Sequence, residues 1–113
     1  MATELAEAHV RRKGGAAVID LKGDINGSAD EVLKRAYGAA AALEATTVVL
    51  NFADVNYINS TGIALIVGLL AEARKEHRAV KAVGLTEHYR HIFEITRLAD
   101  FMPMFATEDD AVA

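Results

Sequence analysis

The sequence predicts an α/β fold, a mixed sheet of four to five strands with helices packed mainly on one face. Residues Thr46–Phe52 (TTVVLNF) form an uncharged β-branched and apolar run, which is typical of a strand buried on both faces. Polar turn formers follow, and Gly62–Ala71 (GIALIVGLLA) then begins a helix that ends in the charged run EARKEHR. The predicted order is strand, strand, helix and then strand–helix twice, which favours a sheet with helices laid on it.

Composition limits the classes of protein to which the chain can belong. It has 113 residues, 52% hydrophobic and 25% charged, without a linker or repeat, so we expect one soluble domain over residues 1–113. A net charge of −4 and scattered basic residues argue against a direct nucleic-acid partner. Because there is no cysteine, the chain can form neither a disulfide framework nor a thiolate metal site.

Neither a membrane span nor a secretory signal is visible in the sequence. The longest strongly apolar run is about half of the roughly 20 residues that a membrane helix needs. The first four residues, MATE, do not form a basic region leading into an apolar one. We therefore expect a cytoplasmic protein with no membrane partner.

The N-terminal part of the chain predicts a hairpin. Leu5–Val10 alternates between apolar and polar residues, as a half-buried edge strand does. Lys13–Gly15 (KGG) is a turn signal, and Ala16–Ile25 resumes strand character. The residues of the second strand that should share one face are Ile19, Leu21, Gly23 and Ile25, opposite Asp20, Lys22 and Asp24.

Cap residues predict where three helices begin. Ser28 with Glu31 matches a capping box, so the first helix should begin there. Thr86 can cap a third helix and Thr107 a short terminal one. The apolar positions of the first helix recur at helical spacing, at Val32, Leu33, Ala36, Tyr37, Ala40 and Leu43.

Two further strands are predicted in the C-terminal half of the chain. Ala79–Leu85 (AVKAVGL) is a further apolar strand that follows the helix beginning near Thr61. Asp100–Phe105 is short and aromatic and could form a last, peripheral strand despite Pro103.

The junction Asn59–Gly62 (NSTG) lies where a buried strand gives way to a helix. A helix N-terminus carries free N–H groups and about half a positive charge, so it favours an anion. A phosphate on Ser60 would be such an anion. The alternative is that Ser60 and Thr61 only cap the helix, and Asn59 is an equally good cap residue.

The helix after this junction carries apolar residues on two sides. At 100° per residue, four of them cluster within roughly a quarter turn and should face the sheet. These four are Ile63, Ile66, Val67 and Leu70. Leu65 and Leu69 lie on the far side, where either a neighbouring helix or loop covers them or they form an exposed strip that marks a partner surface.

The residues give little support for catalysis, a metal or a cofactor. The junction lacks a G-x-S-x-G elbow and has no histidine close in sequence, and the chain has no glycine-rich P-loop. His88 and His91 lie three apart on a predicted helix, but two histidines without a third nearby ligand are more often surface residues. We predict a protein that is not an enzyme, without cofactor or metal.

Several motifs over nearly the whole length resemble those of STAS domains, and among them the bacterial anti-sigma factor antagonists. The central one is Tyr57–Ile63 (YINSTGI), and the supporting ones are Gly23–Asn26 (GDIN), Val48–Phe52 (VVLNF), Val83–Leu85 (VGL) and Ile92–Leu98 (IFEITRL). The resemblance implies a STAS-like sheet. The family motif is Asp-Ser-Ser-Gly, whose first serine an anti-sigma kinase phosphorylates; that serine is matched by Ser60.

The resemblance implies a partner switch. The unphosphorylated domain would bind an anti-sigma factor with a kinase-like fold, and phosphorylation of Ser60 would end that binding; a phosphatase would act on phospho-Ser60. The residues expected to bind the partner are Asp24, Asn26, Asn59, Ser60, Thr61, Gly62, Leu65 and Leu69. We expect a monomer or a weak homodimer.

One departure from the family motif bears on this expectation. The aspartate of the motif is Asn59 here, which keeps a capping oxygen but removes a negative charge beside the phospho-acceptor. A non-phosphorylated STAS scaffold subunit of a transport or signalling complex is therefore an alternative, which Asn59 and an exposed Leu65–Leu69 strip would suit. A small-ligand sensor has no positive support in the sequence.

Overall fold

The computed structural model describes residues 4–113 as one five-stranded sheet with helices on both faces. Residues 1–3, on which part of the expectation about a secretory signal depends, lie outside the described residues. The strands are β1 Glu7–Lys13, β2 Ala16–Ile25, β3 Thr47–Ile58, β4 Ala79–Val83 and β5 Met104–Phe105. The helices are α1 Asp30–Ala42, α2 Ser60–Lys75, α3 Glu87–Ile95 and α4 Glu108–Val112, with short 3₁₀ turns at Gly27–Ala29 and Leu98–Asp100.

The strands lie in the order β1-β2-β3-β4-β5, and the sheet is mixed as predicted. β1 and β2 pair antiparallel through the Gly14–Gly15 turn, whereas the other neighbours run parallel. Gly14 has φ +61°, a conformation that glycine adopts without steric cost. The predicted hairpin, the second strand and the strand at Ala79 are confirmed, and the predicted last strand is reduced to two residues.

The two faces of the sheet are covered unequally. On the main face Ile19 and Leu50 pack in one core with the buried residues of α1, α2 and α3. On the other face Val18 and Val49 form a small cluster with Val83 and with Ala111 of α4. Helices therefore lie mainly on one face, as predicted, and β3 is buried on both faces over its first half.

β3 is longer than the sequence predicted. It was expected to end at Phe52, before a polar turn, but it continues to Ile58. The reason is that its second half pairs with the end of β2, and two register shifts in this ladder absorb the extra β3 residues. This end of the sheet is open to solvent on part of its surface, so the polar residues that resembled a turn are tolerated there.

α1 begins differently from the prediction. Asn26, not Ser28, is the cap residue: its Oδ1 accepts the Ser28 N–H at 3.0 Å and the Ser28 hydroxyl at 2.6 Å. A 3₁₀ turn follows, and α1 starts at Asp30 without a side-chain cap. The predicted capping box of Ser28 and Glu31 is therefore wrong, because the Ser28 N–H, which the Glu31 side chain would accept in such a box, is bonded to Asn26 instead.

The other two predicted caps are confirmed. Thr86 Oγ1 accepts the Tyr89 N–H at 3.3 Å at the start of α3. Thr107 Oγ1 accepts the Asp110 N–H at 3.1 Å at the start of α4. Within residues 4–113, none of the helices is long and apolar enough to span a bilayer.

α4 is attached to the sheet by charges as well as by Ala111. A five-residue helix has little stability of its own. Arg11 of β1 pairs with Glu108 and, at 2.7 Å, with Asp20, while Lys13 lies 2.8 Å from Asp109. The Arg11 guanidinium, by hydrogen bonding, holds the pKa of the Asp20 carboxyl below its usual range.

This ion network predicts a contribution to acid sensitivity. Since the Asp20 pKa is lowered in the folded state, its stabilisation is present above the unfolded value of about 3.9 and is lost as pH falls through the folded pKa. When the pH is lowered from neutral to about 3, the urea midpoint of Asp20→Asn should therefore decrease less than that of the wild type. Asp54→Asn, which removes an exposed carboxylate outside the network, is the control; equal losses in both variants would contradict the expectation.

Candidate functional site

The predicted junction lies at the end of β3, and Asn59 is the cap of α2. Asn59 Oδ1 accepts the Gly62 N–H at 2.8 Å, and the Asn59 N–H donates to the Ile25 carbonyl oxygen at 3.2 Å. Its backbone is extended, with φ −96° and ψ −179°, as is usual for a residue in this position. Of the three cap candidates in the sequence, Asn59 has this role, and Ser60 and Thr61 do not.

Ser60 is the first residue of α2, and its side chain is exposed. Among residues 4–113, its hydroxyl has no hydrogen-bond partner, and the backbone N–H groups of Ser60 and Thr61 have no acceptor. The Gly62 N–H is already bonded to Asn59, so these two N–H groups are the donors left at this helix end. The site therefore presents a free hydroxyl beside two free amides at a positive helix pole.

Gly62 is required by the close approach of α2 to β2. A Cβ atom at Gly62 would lie 1.9 Å from the carbonyl oxygen of Ile25 and 2.7 Å from its carbonyl carbon. Gly62 is buried, so it presents no side chain to a partner. Its contribution is steric, because only glycine lets the first turn of α2 lie against the end of β2.

The predicted polar residues of the site lie at one end of the sheet, where β2 and β3 terminate. Asn26 follows β2 and caps the 3₁₀ turn, and the Thr61 methyl carbon would be 3.5 Å from a Cβ at Gly27 in that turn. Asp24 is half-buried, and one of its carboxylate oxygens accepts the Glu4 N–H at 3.3 Å. Asp24 is also aligned with Tyr57 of β3.

Tyr57 also lies on this surface, although the sequence alone did not predict it as a partner-binding residue. Its side chain is 54% exposed, three residues before Ser60. The available signal was an aromatic residue in an otherwise polar stretch. That stretch was interpreted as a turn, and a turn gives no basis for deciding which way a side chain points. The stretch is instead the end of β3, where Asn56 and Tyr57 are both exposed and Ile58 is buried.

The expected strip of Leu65 and Leu69 is not exposed. Leu69 is 8% exposed and Leu65 is half-buried, because α1 packs beside α2 and covers that side. Of the two interpretations of the sequence, cover by a neighbouring helix is therefore correct. Ile66 and Leu70 are buried as predicted, but Val67, which was expected to face the sheet, is 46% exposed. The buried arc of α2 is thus displaced towards α1.

The two histidines of α3 are exposed. The His88 ring packs against the ring of Tyr89, with centroids 5.0 Å apart. In the part of the chain that the structure describes, no three His, Asp or Glu side chains are grouped so that they could hold a metal ion. Tyr89 has a structural role here, since its hydroxyl accepts the Ile58 N–H at 2.9 Å and so supports the end of β3.

A family model for the STAS domain matches residues 7–111. The chain belongs to the STAS domain family. The match includes all five strands and the junction at Ser60, so the predicted family and fold class are confirmed.

Curated relatives of this STAS domain are named anti-sigma-B factor antagonist. The protein from Staphylococcus epidermidis is 36% identical over 53 residues, which are 47% of this chain and 49% of the relative. The protein from Staphylococcus aureus strain NCTC 8325 is 33% identical over 55 residues, 49% of this chain and 51% of the relative. The matched stretch thus spans about half the length of these curated relatives.

Solved structures share the fold over almost the whole STAS domain. An anti-sigma factor antagonist from Mycobacterium paratuberculosis has a TM-score of 0.82 at 23% identity, covering 98% of this chain and 94% of that one. The Bacillus cell fate determinant SpoIIAA in its phosphorylated form has a TM-score of 0.69 at 23% identity, covering 93% and 96% of the two chains. At these identities the likeness establishes the fold.

Two glycines of α2 should respond oppositely to the same substitution. Gly62→Ala should destabilise the domain by about 3 kcal/mol, because the added methyl group meets the backbone of Ile25. Gly68→Ala should stabilise it by about 0.5–1 kcal/mol, since a Cβ there has no neighbour within 4 Å and alanine favours a helix. Denaturant unfolding measures both; a loss of stability in Gly68→Ala would contradict this account.

Proposed function

We propose that this STAS domain is an anti-sigma factor antagonist, which binds an anti-sigma factor with a kinase-like fold and is inactivated by phosphorylation of Ser60. The observation that carries the proposal is the exposed Ser60 hydroxyl at the first position of α2, which has no hydrogen-bond partner within residues 4–113. The names of the curated relatives support the antagonist role. The protein in this role acts by binding, in the cytoplasm, as a monomer or a weak homodimer.

The helix end can accommodate a phosphate without unfolding. A phosphoserine carries about −1.5 to −2 charge at neutral pH and three acceptor oxygens. The free N–H groups of Ser60 and Thr61, together with the positive pole of α2, are suited to such an anion. Since Asn59 is uncharged, it adds no repulsion to the phosphate. The phosphorylated domain should therefore keep its fold.

The phosphate would instead act on the interface. The proposed docking surface comprises Asp24, Asn26, Tyr57, Asn59, Ser60 and Thr61, at the ends of β2 and β3 and the start of α2. In an interface formed around a hydroxyl, a phosphate would have to lose water and would be repelled by any carboxylate, including Asp24. A penalty of about 3–4 kcal/mol would weaken binding several hundred-fold, which is sufficient for a switch.

The alternative, a STAS scaffold subunit that is never phosphorylated, has lost one of its two supports. The Leu65–Leu69 strip that would have suited it is covered by α1. The replacement of the motif aspartate by Asn59 remains as its support. Intact mass after incubation with the cognate anti-sigma kinase and ATP separates the two functions, because only the switch predicts one added phosphate that Ser60→Ala abolishes.

Substitutions at Ser60 should reproduce the two states of the switch. Ser60→Glu should weaken binding to the cognate anti-sigma factor by at least tenfold, because it places a negative charge in the docking surface. Ser60→Ala should bind like the unphosphorylated wild type, and ATP should not release it. Calorimetry on the purified pair measures both affinities.

Ser28→Ala is the matched control, because Ser28 is also exposed and near the site but donates its hydroxyl to Asn26. It should remain sensitive to ATP. Equal affinity of Ser60→Glu and Ser60→Ala for the anti-sigma factor would exclude the electrostatic mechanism.

Asn59 should determine the charge environment of the phosphate. Asn59→Asp keeps the capping oxygen, so it should change stability little, but it places a carboxylate beside phospho-Ser60. The second pKa of the phosphate should therefore be higher in phosphorylated Asn59→Asp than in the phosphorylated wild type. A ³¹P NMR titration measures it. An unchanged value would show that the two side chains do not interact.

A further inference from the structure

A groove of about 570 Å³ runs between α1 and α2. Its floor is apolar and includes Leu33, Leu65 and Leu69, the last two being the leucines that α1 partly covers. On α2 the groove extends from Ala64 to Glu76, about 18 Å at 1.5 Å per residue. It begins one turn after Ser60, so it is continuous with the proposed docking surface.

Two glycines keep this groove open. Gly38 of α1 and Gly68 of α2 both line it, and a Cβ at either position would meet no atom within 4 Å. Glycine inside a helix is less stable than alanine by about 0.5–1 kcal/mol. None of the described residues packs closely enough against Gly38 or Gly68 to require a glycine there. Both glycines therefore make their helices less stable than alanine would, and both leave space in the same groove.

The rim of the groove is acidic. Asp30, Glu72 and Glu76 line it, against Lys34 as the basic lining residue. Lys34 lies 3.3 Å from Asp30, and Glu76 is bonded to Arg78. The negative charge of Glu72 is the least compensated of the three, because its partner Lys75 lies 3.8 Å away. The lining of the groove thus combines an apolar floor with three carboxylates and one lysine, while Lys75 and Arg78 lie outside the lining.

We infer that this groove binds an amphipathic helix with basic flanks from a partner protein. The apolar stripe of such a helix fits the leucine floor, and its backbone can approach α1 and α2 closely where Gly38 and Gly68 lack side chains. Its lysine or arginine residues would face Glu72 and Asp30. The inference rests on the proposed function, in which the helix belongs to the anti-sigma factor, and it adds a second contact beside Ser60.

A synthetic helix tests the groove without the natural partner. The probe is a peptide of about 18 residues with leucine at helical spacing and lysine elsewhere, compared with the same peptide carrying glutamate in place of lysine. In ¹⁵N NMR titrations the lysine peptide should shift the amides of Ala64, Leu65 and Gly68. It should bind at least tenfold more tightly than the glutamate peptide, and Glu72→Gln should weaken it.

Variants with a filled groove provide the decisive comparison. Gly68→Leu should lose at least tenfold in affinity for the lysine peptide, while Ala42→Leu, which places the same side chain at an exposed position of α1 outside the groove, should bind like the wild type. Gly68→Ala, expected to be the more stable protein, should also bind less tightly. Weaker binding in a more stabilised variant cannot result from poor folding.

Failure of this inference is distinguishable from failure of the proposed function. Ser60 does not line the groove, so its phosphorylation by the anti-sigma kinase is measured independently of peptide binding. Unchanged binding in Gly68→Leu, equal affinity for the glutamate peptide, or shifts confined to other surfaces would each overturn the groove as the binding site. The anti-sigma binding and phosphorylation experiments on Ser60 would be unaffected by those results.

Discussion

The contact between Gly62 and the carbonyl group of Ile25 is the constraint on which the site depends. It brings the first turn of α2 against the end of β2, closer than any residue with a Cβ would allow. The Asn59 N–H donates to the same carbonyl oxygen, while the Asn59 side chain bonds the Gly62 N–H. One carbonyl oxygen and one asparagine thus hold the helix start and leave the Ser60 hydroxyl facing solvent.

The unequal cover of the sheet separates stability from recognition. The large core lies between the sheet and α1, α2 and α3, on the other face of the sheet from α4. The ion pairs of Arg11 and Lys13 are confined to the opposite face. Chemistry at the exposed Ser60 hydroxyl can therefore change without disturbing the α4 attachment, which is suited to a domain whose proposed role is to exchange partners.

Local patterns predicted most of the elements because each depends on neighbours in sequence. The apolar run at Thr46, the turn at Gly14 and the caps at Thr86 and Thr107 all act within a few residues. The end of β3 and the start of α1 were wrong for the opposite reason. Pairing with β2 continues β3 through polar residues, and Asn26 accepts the Ser28 N–H that Glu31 was expected to accept.

For the site, the amino-acid sequence alone determined the family, the fold class and the position of Ser60 at a strand-to-helix junction, since motif and hydrophobic pattern are properties of one chain segment. The tertiary structure decided which residue caps α2, which side of α2 is buried, and that Tyr57 is exposed. It also decided that Leu65 and Leu69, which α1 partly covers, lie at the floor of a groove between α1 and α2. These facts depend on how α2 packs between a sheet and a second helix, and such packing is set by contacts among residues far apart in the chain.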